Sequence, residues 1–162
     1  MATLEIRPVD WLQADESRAV VDVLNSYASH AIGGGIPLSD AVRAQLASAL
    51  AQRPHALVLL AWSEGQPVGL AIAFEGFSTF ACRPLLNIHD LAVLPKFQCR
   101  GVGKALMAAV EAEATRRGCC KLTLEVLEHN THARKLYEQA GFVSYQLDPA
   151  AGRALFLEKK LA

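Results

Sequence analysis

Charge of one sign is the first thing this chain lacks. Its 16 basic and 16 acidic side chains cancel to a formal net charge of zero, so no broad field gathers nucleic acid or an anionic membrane, and any phosphate has to be recognised locally. Long apolar runs are also missing. No stretch approaches the ~18 uninterrupted apolar residues of a spanning helix, and the opening Met1 to Trp11 has no basic segment leading into an apolar one. No secretory signal is read there, and the cytoplasm is the expected compartment. Cysteine occurs without a useful pattern. Cys82 and Cys99 stand alone and Cys119 and Cys120 are adjacent, which suits neither a disulfide framework nor paired CxxC metal arms. The four are read as reduced thiols, Cys119 and Cys120 as core residues ahead of a strand. Repeats, linkers and low-complexity segments are absent as well.

What is present fits one domain over residues 1–162. The length suffices for a sizeable core without disulfides or metals, and the 52% apolar content is ordinary for a globular chain. Leu4 to Pro8 reads as a short strand, and Ala19, Val20, Val23, Leu24 and Tyr27 recur at helical spacing within 15–30. The glycine run Gly33 to Gly35, with Ile36-Pro37, ends that helix. Ser39 or Asp40 caps a second one reaching about Gln52. Ala56 to Trp62 and Val68 to Phe74 are β-prone runs joined by a turn signal. Leu85 to Leu94 is a further strand, 103–117 an Ala-rich helix with Gly118 as its stop, and Lys121 to Leu127 a strand. Asn130 caps a helix to about Gln139 that Gly141 closes, and strands are expected near 142–147 and 154–161. The order describes an α/β or α+β domain with a mixed, mostly antiparallel central sheet flanked by helices.

Chemistry concentrates after the strand ending at Leu94-Pro95. The turn Gln98-Cys99-Arg100-Gly101-Val102-Gly103-Lys104 leads into a helix. Its glycines let the backbone approach a ligand, the helix start offers unpaired N–H groups at the positive end of the dipole, and Arg100 and Lys104 add charge of the right sign for a pyrophosphate. Two glycines making a tight turn is the competing account. A P-loop is excluded because the glycines are two apart and Ala105 follows Lys104. A dinucleotide fingerprint fails because Leu106 stands where its third glycine belongs, and Cys120 to Thr123 stand where its acidic residue belongs.

These residues resemble the acetyl-CoA signature of the GNAT superfamily of N-acetyltransferases, [Q/R]xxGx[G/A] after a Val-x-Pro-like strand end, matched by Leu91-Ala92-Val93-Leu94-Pro95 and then Gln98 to Gly103. The segment Asn130 to Phe142 resembles the family's N-x-x-A-x-x-L-Y-x-x-x-G-F. The resemblance implies acetyl-CoA as cosubstrate, a V-shaped split between the strands near 85–94 and 121–127, and pantetheine pairing with the main chain of Leu91, Ala92 and Val93 like an added strand. It implies further that the Gln98 to Lys104 turn holds the pyrophosphate, that Asn130 contacts the cofactor, and that Tyr137, two helical turns on, protonates the leaving thiolate. Packing of the helix on the sheet is the alternative role for Tyr137.

Acetyl transfer also needs the amine neutral. With a pKa near ~10.4 that costs roughly 4 to 5 kcal/mol at pH 7, so a base is valuable. Aligned on the glycine turn, His89 is similar in position to bases proposed in serotonin-type and polyamine acetyltransferases. Asp90 ranks second as base, or binds a cationic acceptor. Strict alternation puts Asn87, His89, Leu91 and Val93 on one face and Ile88, Asp90 and Ala92 on the other, unless a bulge intervenes; a half-buried strand histidine is the plain alternative. Glu75 and Glu125 are next in line as bases. His129 and His132 flank a helix cap without a third ligand, so no metal is expected. Gly33 to Gly35 is read as a loop shaping the acceptor pocket, and the aromatic segment Phe74 to Phe80 as an acceptor wall or a plain strand end. The expected partner is a small primary amine, with no nucleic acid and no membrane, and a homodimer is compatible with this reading. A non-catalytic acyl-CoA sensor and an enzyme acting on protein or peptide amino groups are the alternatives.

Overall fold

The computed structural model describes residues 3–146 and 148–161. They fall into two compact units, residues 1–124 and 125–162. The first holds a five-stranded sheet of β1 (Leu4–Pro8), β2 (Ala56–Ser63), β3 (Gln66–Ser78), β4 (Arg83–Val93) and β5 (Leu122–Leu124), with helices α1 (Ala14–Ala28), α2 (Asp40–Ala51) and α3 (Val102–Arg116). The strands lie in chain order, antiparallel except for β5, which runs parallel to β4. That is the mixed, mostly antiparallel sheet the sequence pattern calls for.

Local chemistry accounts for the element ends. The Ser39 hydroxyl accepts the Val42 N–H at 3.3 Å and starts α2. Glu64 and Gly65 both adopt positive φ in the two-residue β2–β3 turn, the handedness that matches strand twist. Glu16 of α1 is buried because Arg7 donates to one carboxylate oxygen at 2.6 Å and the Asp10 N–H to the other at 2.8 Å, so the charge is not left bare.

The two sheet faces have different partners. Leu60, Leu70, Ile72 and Ala92 pack with Val20, Val23 and Leu24 of α1 and Leu50 of α2, each large apolar side chain contributing ~2 kcal/mol on burial. Gly69 opens the other face: a Cβ there would crowd Leu106 and Val102 of α3. At the far end of α3, Arg117 bridges Glu113 at 2.7 Å and Glu75 of β3 at 3.1 Å, tying helix to sheet. Residues 69, 71, 73 and 75 therefore face α3, and 70, 72 and 74 face α1.

Several expected boundaries are corrected. β3 runs on to Ser78 because its ladder with β4 continues through Gly76–Leu85 to Ser78–Arg83. β5 is three residues long, since only Leu122, Thr123 and Leu124 find partners on β4. In the second unit, α4 (Thr131–Gln139) forms as expected, whereas residues 142–146 and 154–161 form no strand. Leu147 lies outside the described residues. Alternation marks residues able to pair, but a strand exists only where a second strand completes its hydrogen bonds, and these segments make no ladder.

Candidate active site

The pairing of β3 with β4 skips one residue. Ile72 opposes Asp90 and Ala73 opposes Ile88, leaving His89 without a partner in the ladder. This bulge overturns the simple alternation. Leu86, Ile88, Leu91 and Val93 oppose the β3 positions that face α3, while Asn87, Asp90 and Ala92 oppose those that face α1. The His89 ring stands edge-on to Phe74, with centroids 5.0 Å apart and planes at 81°, so it too lies on the α1 side. An extra residue in one strand thereby presents two consecutive titratable side chains on one face.

Asp90 is half-buried, and its carboxylate accepts no hydrogen bond and makes no ion pair among the described residues. Its carboxyl is held above the usual carboxylate range, first by burial, with nearby His89 pulling the other way. The Tyr27 hydroxyl of α1 is pushed up in turn, mainly by burial and then by the Asp90 charge. Asn87 is fixed differently, donating from Nδ2 to the Thr123 hydroxyl of β5 at 2.9 Å. Glu75, the reserve base, is occupied on the opposite face by Arg117. Alternation puts Phe77 on the α3 side with it, and Phe80 is fully exposed, so of the aromatic segment only Phe74 belongs to this face.

Tyr27 and Thr123 are the members that sequence reasoning did not assign. The position of Tyr27 as the last large side chain of α1 before the glycine loop was the available signal. That loop folds back on it, since a Cβ on Gly33 would overlap the Tyr27 carbonyl group.

Beyond the bulge β4 outruns β5. The β4–β5 ladder stops at Ile88–Leu124, so the β4 main chain from 89 to 93 has no sheet partner on that side among the described residues. A 3₁₀ turn over Pro95–Phe97 then leads to Gly101, the N-cap of α3, at φ 83° and without a side-chain cap. A Cβ at that φ is strained by ~1–2 kcal/mol. Uncapped, the first N–H groups of α3 are left for a ligand. Val102 is buried and anchors the helix start, so its main chain alone is on offer, whereas Arg100 and Lys104 are exposed. Gln98 turns back on the strand instead, donating to the Val93 carbonyl at 3.2 Å and clipping the turn to it. Cys99 takes a positive φ of 58° in the same turn.

In the second unit Asn130 is the N-cap of α4, its Oδ1 accepting the Ala133 N–H at 3.1 Å, which leaves the amide N–H groups as donors. Tyr137 stands seven residues on, its ring 6.0 Å from that of Phe142. Among the described residues no group of three or more His, Cys, Asp and Glu side chains could hold a metal.

A mixed sheet whose β4 and β5 part after Ile88, and an uncapped glycine turn at the head of the following helix, define an acyltransferase fold. Residues 20–142 match the acetyltransferase (GNAT) family, and the chain belongs to that family as an N-acetyltransferase. An uncharacterised N-acetyltransferase of Bacillus subtilis is 32% identical over 103 residues, 60% of this chain and 69% of that one. A Salmonella typhimurium aminoglycoside N(6′)-acetyltransferase type 1 is 30% identical over 94 residues, 56% of this chain and 65% of that protein. The fold also matches an aminoglycoside N-acetyltransferase, AAC(6′)-Iy, solved with coenzyme A, at a TM-score of 0.75 and 22% identity over 99% of this chain and 97% of that one.

Proposed function

We propose that this chain moves an acetyl group from acetyl-CoA to a primary amine of a small molecule, by direct attack of the amine on the thioester. The observation that carries the proposal is the β4 bulge, which sets His89 and Asp90 on one face of the strand that leads to the uncapped turn of α3. The uncapped N–H groups and the flanking Arg100 and Lys104 suit a pyrophosphate. The unpaired β4 edge suits an extended amide-bearing arm, which the main chain of Leu91 and Ala92 would hold; the Val93 carbonyl is already engaged by Gln98. Asn130 would donate to the same arm.

His89 takes the proton of the acceptor ammonium, through a water, while Asp90 orients that cation beforehand. The neutral nitrogen bonds to the acyl carbon, the carbon–sulfur bond breaks, and the nitrogen gives its second proton to water, from which the tyrosinate left by the next step is reprotonated. Tyr137 gives its proton to the departing thiolate. A net neutral surface offers no charge bias for gripping a peptide, which supports a small acceptor over a protein amino group.

The test pairs binding with turnover. Acetyl-CoA near 100 times its Kd should stabilise the fold by about 2.7 kcal/mol, with no effect from ATP or NAD, and thiol release should follow addition of a small amine. The log of kcat/KM should rise with pH along a limb set by the base. His89→Gln should flatten that limb or move it toward the amine's own pKa, and Asp90→Asn should chiefly raise the acceptor KM. Acetylation confined to peptide N-termini or lysine side chains would sink the small-acceptor reading. Unchanged profiles in both variants would move the base elsewhere, to Glu125 first.

A further inference from the structure

We infer that the acceptor is a monocationic primary amine with an apolar body, its ammonium held at Asp90 and its body lying along Tyr27 and Phe74; the inference rests on the acetyl-transfer reading above. It starts from a carboxylate that burial disfavours and no described residue pairs. Such a group calls for a cation from outside.

The segments of the first unit that flank it carry little charge. Residues 23–39, from the second half of α1 through the glycine loop to the cap of α2, contain no Asp, Glu, Lys or Arg. Residues 66–74 of β3 contain none, and residues 84–93 of β4 contain Asp90 alone. His30 and His89 are the other titratable side chains besides Tyr27 in these segments. The neighbouring acids are committed elsewhere: Glu75 to Arg117 on the far face, and Asp40 to solvent, with a fully exposed side chain 4.0 Å from Arg43.

The walls are apolar and aromatic. Tyr27 and Phe74 both pack against the core cluster shared by α1 and the sheet, and Phe74 meets the edge of the His89 ring. Ile32 and Ile36 lie exposed on the loop that folds over the end of α1. Aromatic faces attract one ammonium and cover a hydrocarbon body. One carboxylate neutralises one ammonium. A second positive charge on the acceptor would find no further carboxylate in these segments to pair it, which penalises polycations. The acceptor class therefore differs from the polycationic one named for the Salmonella relative.

Matched probes separate charge from shape. Turnover of pentylamine and of cadaverine, the same chain with a second ammonium, is followed by thiol release, with 2-phenylethylamine and an aminoglycoside as further arms. Pentylamine and 2-phenylethylamine should exceed cadaverine and the aminoglycoside in kcat/KM by about tenfold or more. Ile36→Glu adds a carboxylate at an exposed loop position, so folding is not at stake, and it should narrow the gap in favour of cadaverine. Asp90→Asn should weaken pentylamine by about tenfold or more while the acetyl-CoA KM holds. Cadaverine or the aminoglycoside equal to or better than the monoamines in the wild type would overturn the inference. If acetyl-CoA stabilises the protein but no amine is turned over, the acetyl-transfer reading itself fails and this inference falls with it.

Discussion

Burying a carboxyl group without a cation makes its ionisation more costly in the folded chain than in the unfolded one, and Asp90 is in that position. With its folded pKa raised above the ordinary 3.8, its favourable contribution belongs to low pH and is lost as the pH climbs through the folded value. Asp90→Asn should therefore raise the Tm of the unliganded protein at neutral pH, and the difference should close as the pH falls below the carboxylate range. Such a gain in stability with a loss in acceptor affinity is the signature of a residue kept for binding. Equal melting curves at pH 7 would mean that Asp90 has a partner in solution. Tyr137 makes a different residue-scale prediction. Tyr137→Phe removes a hydroxyl and little volume, so the Phe142 ring contact survives while the chemical step slows by roughly ten- to a thousandfold. A steady single-turnover rate would leave it a packing residue. His89 and Asp90 were visible in the sequence as candidates, but their shared face was not. Period-two counting carries no information about an unpaired residue, because a bulge is a property of two strands.

At the scale of elements, the caps were the most legible feature. Ser39, Asn130 and Gly141 are chemical instructions addressed to their own neighbours, and each stands at the helix end its residue type favours. Strand lengths were less legible. β3 gained Glu75 to Ser78 and β5 shrank to three residues because partner strands, remote in sequence, decide where a ladder continues. The turn at the head of α3 yields a test of its own. Gly103→Val adds bulk in the first turn without touching the Gly101 cap, so the helix should still form while the KM for acetyl-CoA rises several-fold or more. An unchanged KM in a folded variant would take the pyrophosphate away from this turn.

For the molecule as a whole, acid resistance depends on which carboxyl groups folding favours. Glu113 is drawn down to about 2 from 4.5, chiefly by the Arg116 hydrogen bond and then by Arg117. Its stabilisation is full above 4.5 and fades as the pH falls toward 2, opposite in sign to that of Asp90. In Glu113→Gln the melting temperature should be lower than wild type at pH 7, and the two curves should converge between pH 4.5 and 2. Parallel curves across that window would show that the Glu113–Arg117–Glu75 bridge does not fasten α3 to the sheet.

The bulge at His89 also divides β4 into two reading phases. Ahead of it the even-numbered Leu86 and Ile88 face α3, and past it the odd-numbered Leu91 and Val93 do. A deletion of His89 would close the bulge, because Ile88 and Asp90 already oppose the neighbouring Ala73 and Ile72. Leu86, Ile88, Leu91 and Val93 would keep their sides in one unbroken alternation, so the core should survive the loss. Recombination with a parent that lacks the extra residue would leave the core in phase for the same reason. The residue proposed to take the proton is thus one that the ladder can do without, and its place in the chain answers to the site and not to the packing.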